Sequence, residues 1–383
     1  MKLFLSLLAC ALATTAAAED GVTDTGIKIG VMGPFTGNAS SYSKAQIGLD
    51  AYYKWVNDQG GVNGRKIETV LEDYACDSTK GVAAVKKLIH QDKVFMLHGN
   101  SCSAVAMAIK PIVVEAGIPW VIAHAANGAI SSPVSRNIFH GVPVGKTMGI
   151  AMGQFVASKP KLAKVAVISH TDDWAKSYCG PATEFLASKN IKPAIEVAFE
   201  RGQTDSTAQT LKIKQANPDF VIACLYEAET AIFLKDARKF GLNAPVMGTA
   251  GTDLENTLKR VGDLDTVANY YVPHMYADNL DGPRLKRFAD ILKKYYPNES
   301  VTAFSLISMG GAAAVVEAFK RSGRDLTRDK FISELDKTRD FDTGVLAGHI
   351  TWSSVDRDGV KDVAVAGFVN GKPTVLKAWS KPL

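Results

Sequence analysis

The nearest approach to a nucleotide site in this sequence is Gly141-Val142-Pro143-Val144-Gly145-Lys146-Thr147. It is one residue short of a phosphate-cradling loop, because the position that would need glycine is His140, so the backbone cannot wrap a phosphate in the usual nest. A hinge turn is the better reading. No nucleophile-elbow, zinc-protease or dinucleotide fingerprint occurs. The seven histidines lack metal-ligand spacing, and His98, His124, His140 and His170 read as polar residues at strand ends. No catalytic residue, metal or cofactor is therefore expected. Small polar and aromatic side chains do gather where apolar runs stop. Asn100-Ser101-Cys102-Ser103, His124-Ala125-Ala126-Asn127 and Thr249-Ala250-Gly251-Thr252 follow three such runs, and Tyr42, Trp174 and Tyr226 accompany others. Hydroxyls and amides of this kind hold a carboxylate, and rings hold an apolar body; the chemistry is reversible binding. Ser103 would open a helix whose first N–H groups lack partners, a ready carboxylate site, although a serine there also serves as an ordinary cap.

These residues need a scaffold, and the pattern supplies one. Apolar β-branched runs at 27–32, 67–71, 94–97 and 120–123 alternate with helical patterns at 42–59, 81–91 and 103–116. Asp77 or Ser78 can cap the second helix. A second series has strands at 164–169, 220–225 and 245–247, with helices at 174–189 and 227–240. Alternation of this kind implies parallel sheets covered on both faces, and two series imply two doubly wound α/β lobes. Residues 139–146, with Gly141, Pro143 and Gly145, suit a crossover. The tail carries helices at 283–295 and 303–321 and apparent strands at 349–352, 363–369 and 374–378, enough to complete both lobes. Ligands in open α/β sheets sit beyond the carboxyl ends of strands, where the polar clusters fall.

The N-terminus sets the compartment. Lys2, an apolar stretch over 3–13 and small residues to Ala18 have the form of a secretory signal cleaved after Ala18. Leu7-Leu8-Ala9-Cys10 also resembles a lipobox, but cutting there would leave an unusually short signal. No later run is expected to span a membrane. Of the five cysteines, Cys10 falls in the leader, leaving Cys76, Cys102, Cys179 and Cys224. An even number in an exported chain favours disulfides, with the connectivity open. A net charge of +5, evenly scattered, does not support a nucleic-acid groove.

Glu72-Asp73-Tyr74-Ala75-Cys76-Asp77 followed by Gly99-Asn100-Ser101-Cys102-Ser103 resembles the branched-chain amino-acid-binding family of periplasmic proteins. Further likeness lies in residues 29–37, 60–64, 236–242 and 348–352. The resemblance implies a type I binding protein with two α/β lobes, three crossovers and a ligand trapped by hinge closure. The lobes would be 25–142 with 274–351 and 143–273 with 352–383, after a leader at 1–18. It implies a Cys76–Cys102 disulfide; Cys179 and Cys224 fall outside the family pattern. It places ligand contacts at Tyr42, Ser101, Ser103, Ala125, Asn127, Trp174 and Tyr226, with Asn127 where a threonine is usual. The family's amino-acid binders receive the ligand ammonium on a glutamate, and ungapped counting from Tyr226 puts Ala250 there. A buried ammonium without a carboxylate is strongly disfavoured, so this chain resembles the relatives that carry aromatic acids. Asp253 or Glu227 could substitute only from a different backbone position.

The expected role is thus a monomeric periplasmic solute-binding subunit. Its partners would be a small carboxylate-bearing molecule and an ABC permease in the inner membrane. An amino-acid carrier, a ligand-sensing subunit and an exported hydrolase are the competing functions.

Overall fold

The computed structural model describes residues 19–276 and 282–379; the expected leader lies outside them. The first sheet is built from β1 (Gly26–Gly33), β2 (Lys66–Asp73), β3 (Met96–Gly99), β4 (Trp120–Ile122) and β5 (Ile138–His140). All pairs are parallel, in the order β2-β1-β3-β4-β5. The interior position of β1, between β2 and β3, explains its apolar run: Ile29, Val31 and Met32 are fully buried, as a strand covered on both faces requires. Its connections are α1 (Lys44–Asp58), α2 (Ser78–His90) and α3 (Ser103–Glu115). Asp77 caps α2, accepting from the Lys80 amide at 2.8 Å. A single 3-10 turn, Ser40–Ser43, precedes α1 and carries Tyr42.

After β5 the chain enters α4 (Gly145–Ala157) and a second sheet of β6 (Val165–Ser169), β7 (Pro193–Ala198), β8 (Phe220–Cys224), β9 (Val246–Met247), β10 (Tyr270–His274), β11 (Val363–Val369) and β12 (Lys372–Trp379). The order is β12-β11-β10-β9-β8-β6-β7. Pairs from β6 to β10 are parallel, and β11 runs antiparallel to both β10 and β12. Its helices are α5 (Asp173–Ser188), α6 (Thr207–Ala216), α7 (Glu227–Phe240), α8 (Leu254–Val261) and the short α9 (Leu264–Val267). The tail helices α10 (Pro283–Tyr295) and α11 (Ala303–Ser322) pack on α1 of the first sheet, and α12 (Arg328–Asp336) packs on α11. The chain therefore passes between the sheets three times: from β5 to α4, from β10 to α10, and from α12 to β11.

Several expectations are corrected. The segment expected to cross over, 139–146, begins inside β5 and ends inside α4, so only 141–144 runs between elements. The strand expected at 349–352 is a single bridge, Phe341 to Ile350. Trp352 serves there as an anchor: it is fully buried, and its indole N–H donates to the His140 carbonyl at 2.8 Å. The same carbonyl accepts from the Gly359 amide, and the His140 amide donates to the Arg357 carbonyl, which stitches two crossing segments together. Helix α11 is long and apolar enough to cross a membrane, contrary to expectation, but Leu306, Met309 and Val315 on it are fully buried in the core.

Helix α4 shows why its pattern was hard to read. Gly145, Gly149 and Gly153 lower its intrinsic propensity, yet they let α5 approach closely. A Cβ on Gly149 would lie 2.2 Å from the Tyr178 carbonyl oxygen. Tertiary packing overrides propensity, and the result holds α5 against the cleft.

Candidate functional site

A cavity of about 440 Å³ lies between the carboxyl ends of the two sheets. Its first wall comes from the exits of β3 and β4 and the turn before α1. The Asn100 side chain accepts from the Cys102 amide (2.9 Å) and from the Tyr74 hydroxyl (2.8 Å). The Tyr74 hydroxyl in turn accepts from the Ser101 amide (2.9 Å). Asn100 sits at φ 78°, a left-handed conformation that asparagine adopts more readily than other non-glycine residues, and this network fixes its side chain there. Cys102 is the N-cap of α3 and supplies no side-chain cap. The leading amides of a 13-residue helix are thus presented at the cavity edge, where the dipole favours an anion. Ser103 Oγ accepts from the Asn127 amide at 3.3 Å, so its proton can be given to a ligand.

The second wall comes from the exits of β6, β8 and β9. Asp172 caps α5 by accepting from the Ala175 amide (2.9 Å), and its other oxygen accepts from the Tyr226 hydroxyl (3.1 Å). The Trp174 and Tyr226 rings stack with centroids 4.1 Å apart at 16°. A Cβ on Gly251 would lie 2.6 Å from the Trp174 ring, so the glycine permits that loop to close on the stack. The Cys179–Cys224 disulfide ties α5 to the end of β8, fixing the two elements that carry these rings. Cys76–Cys102 likewise ties the β2–α2 loop to the start of α3, as the resemblance implied. Tyr42 crosses the cleft: its hydroxyl donates to the Gly251 carbonyl (3.1 Å), and its ring lies edge-on to Tyr226 and against Phe304.

Burial sets the protonation of the walls. It pushes the Tyr42, Tyr178 and Tyr226 hydroxyls up, so all three remain neutral donors. It pushes His124 down to about 4 against the opposing effect of its hydrogen bond to the Phe304 carbonyl. The charged side chains on the wall are Asp172, Asp173 and Arg201.

Of the residues expected at the site, Tyr42, Ser101, Ser103, Asn127, Trp174, Tyr226 and Ala250 all line this cavity. Ala125 does not. It is fully buried behind the wall, with its carbonyl accepting from His140 Nε2 at 3.1 Å. Ser101 lines the cavity with its hydroxyl engaged, accepting from Gln46 Nε2 (3.1 Å) and donating to the Tyr42 carbonyl (3.5 Å). Asn127 Oδ1 accepts from the Ala129 amide (2.9 Å), which leaves Nδ2 as the side-chain donor of a residue that lines the cavity. Neither carboxylate weighed as a substitute at Ala250 is on this wall. Asp253 caps α8 and accepts from the Ala303 amide, and Glu227 pairs with Arg260 at 3.0 Å. Asp172, Arg201, Tyr178 and Phe304 were not foreseen. Asp172 alone had a signal, as an acidic N-cap just before the α5 pattern.

Residues 26–372 match the family described as periplasmic binding protein. A leucine-, isoleucine-, valine-, threonine- and alanine-binding protein of Pseudomonas aeruginosa is 25% identical over 320 residues, covering 83% of this chain and 84% of that protein. Among solved structures, a branched-chain amino-acid transporter substrate-binding protein of Streptococcus pneumoniae, in complex with isoleucine, superposes with TM-score 0.81 at 23% identity. The match covers 92% of this chain and all of the other. A solute-binding protein of R. palustris in complex with 4-hydroxybenzoate gives TM-score 0.81 at 20% identity, covering 93% and 98% of the two chains. These structural likenesses speak for the fold. With a match that runs from the first residue of β1 to the first of β12, the chain belongs to the periplasmic binding protein family.

Proposed function

We propose that this protein is the solute-binding subunit of an ABC importer, and that it captures an aromatic acid in the cleft for delivery to an inner-membrane permease. Support comes chiefly from the division of the cavity. Ser103, Asn127 Nδ2 and the uncapped start of α3 offer donors on one wall, and a Trp174–Tyr226 stack offers a flat apolar face on the other. Ala250, at the position counted for the ammonium-receiving glutamate, brings no charge. An aryl carboxylate satisfies this arrangement without leaving a buried cation unpaired. Export through removal of residues 1–18 belongs to the same proposal, as do two moving lobes, 25–142 with 274–351 and 143–273 with 352–383. N-terminal sequencing of the periplasmic protein should begin at Glu19.

A second reading rests on Asp172. Its carboxylate lines the cavity and is bound by two neutral donors, so it could receive an ammonium, and this chain would then carry α-amino acids as its Pseudomonas relative does. Native mass spectrometry of freshly purified protein separates the two. A retained aromatic acid supports the first reading; retained leucine, isoleucine or valine replaces it with the second.

A further inference from the structure

The geometry points to Arg201 as a charge-selective latch that meets the ligand's acid group from the second lobe and makes closure depend on that negative charge. This rests on the reading of the ligand as a carboxylate and is indifferent to whether the rest of it is a ring. Arg201 lies in the turn after β7, and its guanidinium carbon stands 4.8 Å from the Tyr226 ring centroid. Nη2 reaches across the cleft to within 3.8 Å of Cys76 Sγ. Cys76 is bonded to Cys102, the N-cap residue of α3. The guanidinium and the open helix terminus therefore flank the same disulfide, one from each lobe.

Arg201 also forms part of the boundary between two spaces. It lines both the main cavity and an outer one of about 650 Å³, sharing that partition with Tyr42, Cys76 and Tyr226. Among the described residues it makes no ion pair. Glu229 accepts from the neighbouring Gly202 amide (3.0 Å), Asp172 is occupied by Tyr226 and Ala175, and Asp173 is 80% exposed beside Lys176. Arg201 is exposed at the mouth of the cleft. A guanidinium held over an aromatic face, with a hydrogen bond only to the weak sulfur acceptor of Cys76, is poised to take a carboxylate instead. An acid seated at the α3 terminus would hold both lobes at once, whereas a neutral isostere would keep only the first-lobe hydrogen bonds. Ligand stabilises a closed state only through contacts that the open state lacks, so closure follows ligand charge.

The test is calorimetric titration of wild type, Arg201→Gln and Arg201→Lys with benzoate, 4-hydroxybenzoate, leucine and neutral benzamide. Unliganded melting temperatures serve as the folding control. Arg201→Gln should weaken the tightest acid about tenfold or more and benzamide by much less, and Arg201→Lys should recover part of the loss for the acid. A wild type that prefers an acid, with Arg201→Gln equal to it within about twofold, overturns the latch alone. A wild type that binds benzamide as tightly as every acid, or binds no acid, overturns both the latch and the carboxylate reading.

Discussion

Trp174 and Asn127 test the two ends of the cavity separately. Trp174→Ala removes one half of the stack and should weaken an aromatic acid about 10- to 100-fold by calorimetry. Asn127→Ala removes a donor and a 3-10 cap; it should weaken binding about tenfold and cost about 1 kcal/mol of stability in denaturant titration. Affinity unchanged in both variants would remove the site assignment. Polar and aromatic residues at strand exits were legible because parallel topology alone sends those exits to one edge. Ala125 lies behind the wall, and a pattern cannot tell the residue facing the cleft from the one behind it. Arg201 and Phe304 left no trace: one sits in a turn whose path no local rule sets, the other starts a tail helix that reaches the cleft only through tertiary packing.

Helices and strands were legible in proportion to their local consistency. Glu227–Phe240 and Val363–Val369 coincide with the pattern read from the sequence. In α7 an amphipathic run is ended by Gly241 in the left-handed conformation, a frequent helix stop. Helix α4 was missed because its glycines argue against a helix until α5 is placed on them, and the short β5 was missed because it runs directly into Gly141 and Pro143, which read as a turn. The pairing of Cys179 with Cys224 could not be chosen from four cysteines, but its place explains its value to the site. It fixes α5, which carries Trp174, to the strand that ends two residues before Tyr226. The double variant Cys179→Ser/Cys224→Ser should lose about 2–4 kcal/mol in urea unfolding and should also bind ligand more weakly. A loss of stability with affinity unchanged would show that the stack is held without the bridge.

The whole molecule couples stability to pH through three buried histidines, His98, His124 and His140, each lowered by burial, in His140 against the opposing charge of Asp358. Burial pushes His98 down to about 3 and His124 to about 4. Both stay neutral in the folded protein while their unfolded counterparts take up protons below about 6.5. Stability is therefore complete above about pH 6.5 and falls as pH drops toward 4 and 3. The loss between pH 6.5 and 5 should be roughly 2–4 kcal/mol in denaturant titrations. A flat profile over that range would contradict the burial of these rings, and His98→Gln should flatten it only in part, because His124 and His140 remain. At this scale the two sheets and three crossings place the Ser103 and Asn127 donors and the Trp174–Tyr226 stack on opposite walls of one cavity, the arrangement on which the proposed closure around a ligand rests.

That account is tested most directly by titrating ligand-stripped protein in parallel with benzoate, 4-hydroxybenzoate, leucine and valine. Binding of at least one aromatic acid with affinity well above that for either amino acid is the predicted result. Tight binding of leucine or valine, with aromatic acids left unbound, would contradict it and move the ammonium-receiving role to Asp172.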